Sequence, residues 1–193
     1  VPAAKSFLDE NITENHLEEF NYPLIVKPVD SAGSKGVSKV NDRYELPKAI
    51  KNAISNSISG RYIIEDFIDQ KGFASDSDCF SVNGKLKFFS FSNQRFDKNA
   101  NNPFTPSAFS WPSNMSNRVQ EHLKFELQRL ISLLNMGTSL YNVEVREGTD
   151  GKAYIMEVSP RGGGNRLSEM MKYATGIDLI KNAVKASVGI NSL

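Results

Sequence analysis

Two spacings of apolar residues divide this chain. Short apolar runs or alternations closed by turn residues predict strands at "YPLIVKP" (22–28), "RYIIEDFI" (61–68), "SLYNVEVRE" (139–147) and "KAYIMEVS" (152–159). "DCFSVNGKLKFFSFSNQRF" (78–96) predicts a hairpin turning at Asn83-Gly84, a pair suited to a two-residue turn with positive φ. Helical spacing follows Ser116, which caps a segment carrying Val119, Leu123, Leu127, Leu130, Ile131 and Leu134 on one face and ending at Gly137. Residues 41–57 predict another helix, with Asp42 and Glu45 as its cap pair and Pro47 near its start. Asn11 and Glu14 have capping-box spacing for a helix in "NITENHLEEF", and residues 168–187 predict two helical pieces separated at Gly176. Between hairpin and helix, "DKNANNPFTPSAFSWPSNMS" (97–116) reads as a long loop, of the kind that is usually functional or disordered.

The order of these elements gives an α+β chain with a β–loop–β–α–β lobe at 1–66 and a larger lobe at 67–193, built mainly of antiparallel strands. Composition narrows the function classes. Lys and Arg number 23 against 22 Asp and Glu, so no bulk attraction to nucleic acid or anionic membrane is expected. No apolar run is long enough to span a bilayer, and the N-terminus is not a signal peptide. The single cysteine, Cys79, cannot form an internal disulfide, which fits a reducing cytoplasm. His16 and His122 have no partner in ligand spacing and read as surface residues. Phe88, Phe89 and Phe91 have the spacing of core residues, more than that of a base-stacking platform.

Candidate chemistry gathers at the end of the last predicted strand, "AYIMEVSPRGGGNRL" (153–167). With Asp150-Gly151 as a two-residue turn, Glu144 falls directly opposite Glu157 and Asn142 opposite Ser159. With "GTDG" as a four-residue loop, the two glutamates become diagonal neighbours on the same face. Either register leaves Val143, Val145, Met156 and Val158 on the reverse face. Opposed carboxylates destabilise a sheet unless something neutralises them, and hard oxygen ligands suit Mg²⁺. The competing reading is a solvated strand face. Arg161, a suitable partner for phosphate or carboxylate, and the glycines at 162–164, which permit close backbone approach, favour the metal and phosphate reading. A second half is carried by "VDSAGSKGV" (29–37), where Ser31, Gly33, Ser34 and Gly36 supply small residues whose amides could surround an anion. It matches neither a Walker A loop nor GxGxxG. Lys27, inside the apolar strand beside it, needs an anionic partner.

Taken together, "YPLIVKPVDSAGSKGV", "IIEDFI", "NVEVREGTDGKAYIMEVSPRGGGN" and "ATGIDL" resemble, in this order and over most of the chain, the catalytic ATP-grasp domain, most of all that of the carbamoyl-phosphate-synthase large chain and related amino-acid ligases. The resemblance implies two α+β lobes with ATP between them. It implies that Lys27 contacts the ATP phosphates under a mobile 30–36 loop, and that Glu65, Asp66, Phe67 and Ile68 form the linker holding adenine through backbone groups. Glu144, Glu157 and Ser159 would ligate Mg²⁺, and Arg161 would bind the transferred phosphate or the acceptor carboxylate. Such enzymes activate a small carboxylate as an acyl phosphate for attack by an amine or another nucleophile, and bicarbonate activation is a variant of that chemistry.

Three departures stand against the family pattern. Ser159 occupies a position where Asn is usual, so Asn142 is a candidate replacement ligand. Ala74 stands where a ribose-binding acid is usual, leaving Asp76 or Asp78 as substitutes. A preceding N-terminal domain with its own nucleotide contact is expected outside this sequence. The first two features favour the alternative of a non-catalytic or regulatory ATP-binding module. Arg95, Arg161 and the loop "NNPFTPSAFSWP" are expected to border the acceptor pocket.

Overall fold

A computed structural model describes residues 2–8, 12, 14–100 and 105–193. The described residues cluster into two compact units, one drawn from Val1–Ile68 with Ala100–Thr105 and the other from Asp69–Asn99 with Pro106–Leu193.

The first unit is a four-stranded antiparallel sheet of β1 (Ala4–Phe7), β2 (Leu24–Pro28), β3 (Ser38–Val40) and β4 (Tyr62–Asp66), in the order β1-β4-β2-β3. One helix, α1 (Leu46–Ser55), covers one face. Strand alternation decides what it covers: Leu24, Val26, Tyr62 and Ile64 turn toward Ala49, Ile50 and Ala53 of the helix and form one core. The expected Asp42–Glu45 pair builds the turn that leads into α1. Asp42 accepts the N–H groups of Tyr44 (2.8 Å) and Glu45 (3.2 Å), and Glu45 accepts that of Asn41 (2.7 Å). Near the N-terminus the sequence misleads. Asn11 lies outside the described residues, and the expected helix is one 3-10 turn at Glu14–Leu17. β1, which the sequence did not signal, pairs with β4 instead.

The second unit contains a sheet of β5 (Ser75–Val82), β6 (Lys85–Phe88), β9 (Ser139–Glu147) and β10 (Ala153–Ser159), in the order β10-β9-β5-β6, and a ribbon of β7 (Asn93–Phe96) with β8 (Pro106–Ser110). Asn83 and Gly84 turn the β5–β6 hairpin with φ of 50° and 75°. The apolar stretch beyond it does not continue as one strand. β6 ends at Phe88, and Asn93 begins a separate ribbon whose partner strand, Pro106–Ser110, lies in the segment read as loop. Residues 101–104 of that segment lie outside the described residues.

The helix α2 (Asn117–Leu133), capped by Ser116 through the N–H of Val119, lays Val119, Leu123, Leu127 and Ile131 against Cys79, Tyr141, Val143 and Val145. Leu134 remains largely exposed at 62%. On the opposite sheet face, α3 (Leu167–Thr175) and α4 (Leu179–Ser187) bury Leu167, Met171 and Leu179 against Phe80. Gly176, at φ 79°, separates the two helices. Further along the same face stand Asp76, Asn142 and Glu144, half-buried, and Glu157, exposed. Phe91 is core and Phe88 and Phe89 pack against cores, so the aromatic segment is structural.

Candidate phosphate and metal site

In the first unit, Ile25 and Lys27 of β2 face away from α1. Lys27 Nζ pairs with Glu65 Oε1 at 2.9 Å, and Glu65 is only 6% exposed. A buried carboxylate is costly without a counter-charge, so each residue accounts for the other's presence in an apolar strand. On the neighbouring strand, Lys39 Nζ stands 3.8 Å from the centre of the Phe67 ring. Two N–H groups of the expected linker are already engaged: Asp66 donates to the Ala3 carbonyl (3.0 Å) and Phe67 to that of Pro23 (3.3 Å).

The loop between β2 and β3 is tied at its base. Asp30 accepts the Ser57 hydroxyl (2.7 Å) and the N–H groups of Ile58 (3.0 Å) and Ser59 (2.8 Å). The Ser59 hydroxyl, then that of Ser57, hold its carboxyl well below the usual range. Above this anchor Gly33, Ser34 and Gly36 all have positive φ, and Ser31 is exposed. Gly36 is constrained twice, because a Cβ there would lie 2.7 Å from Asn56 Cβ and 2.9 Å from Pro28 Cγ.

The second unit presents a row of acids across three strands. Asp76 of β5 stands opposite Glu144 of β9, and Glu144 stands opposite Glu157 of β10. The expected facing of Glu144 with Glu157 and of Asn142 with Ser159 is present, but neither predicted turn produces it. The hairpin closes with Gly148 N–H on the Lys152 carbonyl (2.9 Å), and the register runs Glu147–Ala153 and Val145–Ile155. A bulge then sets Met156 and Glu157 against Glu144. Without that extra residue Glu157 would share the face of Val143. Ile155, with Val158, therefore takes the core-side place expected of Met156.

Glu144 Oε1 pairs with Arg146 Nη2 at 3.2 Å, and Glu157 Oε1 accepts the Ser159 hydroxyl at 2.9 Å. Asn142 Nδ2 donates to Asp76 Oδ1 at 2.6 Å. Asp76 is pushed up to about 6, first by burial and then by the charges of Glu144, Asp78 and Glu157, against the lowering effect of the Asn142 bond. Arg161 follows the strand, donating its N–H to the Ser159 carbonyl (2.8 Å) and Nη1 to that of Gly162 (2.9 Å). Arg95 lies over the Phe73 ring at 3.7 Å. Ala74 is buried at 1% exposure, and Asp78, at 0% with its two oxygens taken by Gly163, Asn142 and Ser168, is closed to a ribose hydroxyl, so of the two expected substitutes only Asp76 stays open to that role.

Sequence reasoning brought out Lys27, Glu144, Glu157 and Arg161 but gave no role to the Asp76–Glu144 pairing. The available signal was the alternation in "SDSDCF" (75–80), which puts Asp76 and Asp78 on one strand face. Among the described residues, no group of three or more His, Cys, Asp or Glu side chains forms a metal cage. A cation needing a full protein shell is poorly served here. Mg²⁺, which takes one or two carboxylates and completes its shell with water and phosphate oxygens, fits Glu144 and Glu157.

A family model described as an ATP-grasp domain matches residues 20–169. The carbamoyl phosphate synthase large chain of Thermoanaerobacter sp. (strain X514) is 28% identical over 178 residues, spanning 89% of this chain but 15% of its own length. Among solved structures, the L-amino acid ligase from Bacillus licheniformis superposes with a TM-score of 0.77 at 25% identity, covering 99% of this chain and 44% of that one. A biotin carboxylase–β,γ-ATP complex from Campylobacter jejuni gives 0.76 at 16% identity, over 90% of this chain and 38% of that one, and so shares the fold. Among the described residues no helix is long and apolar enough to cross a membrane.

Proposed function

The chain belongs to the ATP-grasp family, and from that premise we propose that it is the nucleotide-binding and phosphoryl-transfer part of an ATP- and Mg²⁺-dependent ligase. The ligase activates a small carboxylate as an acyl phosphate, which an amine or a similar nucleophile then attacks. The observation that carries this reading is the direct opposition of Glu144 and Glu157 on the polar face of a sheet whose other face is core. Arg146 offsets only one charge of the row formed by Asp76, Glu144 and Glu157, and a divalent cation would offset the rest.

In this reading Glu144 and Glu157 hold Mg²⁺, with Ser159 or Asn142 beside them. The metal, when bound, neutralises phosphate charge. Lys27 reaches the nucleotide phosphates, and its bond to Glu65 directs the ammonium. Ser31, Gly33, Ser34 and Gly36 offer backbone N–H groups to phosphate oxygens from a loop anchored at Asp30. Glu65, Asp66, Phe67 and Ile68 meet the base. With the N–H groups of Asp66 and Phe67 engaged, the carbonyl oxygens of this strand exit are the complementary groups for an exocyclic amine. Arg161 presents a planar, permanently charged fork to the transferred phosphate or the acceptor carboxylate. Charge stabilisation by fixed donors, together with positioning of the acceptor, supplies the catalysis.

The chain spans about 15% of the length of the first curated relatives it matches, and an amino acid is the acceptor class we favour by analogy with the ligase above. The test is release of ADP from Mg·ATP by the full-length protein against a panel of amino acids and small acids. Release that depends on one added carboxylate supports the ligase. Nucleotide binding with no carboxylate-dependent release across the panel supports a regulatory module instead.

A further inference from the structure

The glycine run after β10 is seated on one buried carboxyl group. Gly163 donates its N–H to Asp78 Oδ1 at 2.8 Å, and Asn142 Nδ2 donates to the same oxygen at 3.2 Å. The other oxygen, Oδ2, accepts the hydroxyl of Ser168 in the first turn of α3. Asp78 is 0% exposed. A buried carboxyl tolerates such a place when its oxygens are filled by donors. Here those donors come from a neighbouring strand, a loop and a helix.

The loop is pressed hard against this group. A Cβ at Gly163 would lie 2.6 Å from Leu167 Cδ2, 2.7 Å from Asn142 Nδ2 and 3.1 Å from Asp78 Oδ1, whereas at Gly164 it would meet nothing within 4 Å. A Cβ at Gly162 would lie 3.1 Å from Leu140 Cδ2, so Gly163 is the member of the run with the tightest approach, to Leu167, to the Asn142 amide and to Asp78. Asn142 in turn bonds Asp76, the first acid of the row. One carboxyl group thus ties together the loop that carries Arg161, the start of α3 and the amide next to the acids.

We infer that Asp78 is a positioning residue: by seating the 161–164 loop on the sheet it sets where Arg161 stands relative to Glu144 and Glu157. This rests on the reading that Arg161 meets phosphate. A residue that only fills the core would affect stability and all ligands alike. Asn at this position retains an oxygen for Gly163 and Asn142 and turns an amide N–H toward the Ser168 hydroxyl, which can accept it.

The test measures inorganic phosphate affinity calorimetrically with Mg·ADP saturating, beside the affinity for Mg·ADP itself. Asp78→Ala is expected to weaken phosphate binding tenfold or more while Mg·ADP affinity stays within twofold, and Asp78→Asn to restore it. In an Arg161→Ala background, Asp78→Ala is expected to cost nothing further, since the two act as a unit. Should Asp78→Ala not fold, Gly163→Ala, which keeps the acid and pushes the loop away from Asn142 and Asp78, is expected to weaken phosphate binding more than it weakens Mg·ADP binding. Unchanged phosphate affinity, an equal loss of phosphate and Mg·ADP, or losses that add to those of Arg161→Ala overturn the positioning role. A parent that binds no phosphate, or an Arg161→Ala variant that binds it normally, overturns the reading of Arg161 and this inference with it.

Discussion

Lys27 shows how much one side chain in the wrong company can reveal. A lysine inside "LIVKP" announces an anion, and Glu65 is the one the structure supplies at 2.9 Å. Because this partner keeps the ammonium in place, Lys27→Ala is expected to weaken Mg·ATP binding about tenfold, ~1.4 kcal/mol; calorimetry on the folded variant checks it, and equal affinity removes the lysine from the site. Asp76 was harder to read, since its meaning comes from Glu144, a residue far away in sequence that only strand pairing brings opposite. Its pKa, raised to about 6, has a definite consequence. Between about pH 4 and 6 the unfolded chain ionises this group while the folded chain keeps it protonated, so its contribution to stability falls as pH rises through that window and stays low above it. Asp76→Asn is expected to flatten the metal-free melting temperature over this range. Parallel curves for parent and variant would show that Asp76 titrates normally.

At the scale of elements, long periodic signals were legible and local irregularities were not. The stripe Val119, Leu123, Leu127 and Ile131 is buried as its spacing requires. Leu123→Ala, at a site with 0% exposure, is expected to cost about 3 kcal/mol by denaturant unfolding, through lost transfer energy and the cavity left behind; a cost below about 1 kcal/mol would mean that the helix face is loosely packed. The β10 bulge gives the opposite lesson. Counting back from the turn led to the correct facing of the two glutamates, but a one-residue bulge compensates for a turn one residue different from that assumed. The strand at Pro106–Ser110 was illegible because its ribbon partner, not an apolar alternation of its own, defines it. The 30–36 loop, tied at Asp30 and rich in small residues, is expected to gain amide-exchange protection when Mg·ATP is added. Equal protection in both states would make it a static connector.

For the whole molecule, the α+β architecture and family were legible because several motifs occur in one order, which is far more specific than any of them alone. What the proposed ligase would take as acceptor was not legible: Arg95 and Arg161, the side chains expected at its pocket, stand in settings that the spacing of residues does not define. The proposed ligase stands or falls with Glu144 and Glu157 acting as one Mg²⁺ site. The deciding measurement is nucleotide affinity as a function of Mg²⁺ concentration for the parent, Glu144→Gln and Glu157→Gln. Glu157→Gln is expected to fold at least as stably as the parent without metal, since it removes a repulsion across β9 and β10, whereas Glu144→Gln also gives up the Arg146 pair; both are expected to need at least tenfold more Mg²⁺ to reach half-maximal nucleotide binding. Two curves that overlay the parent's would make the pair a solvated strand face and contradict the assignment.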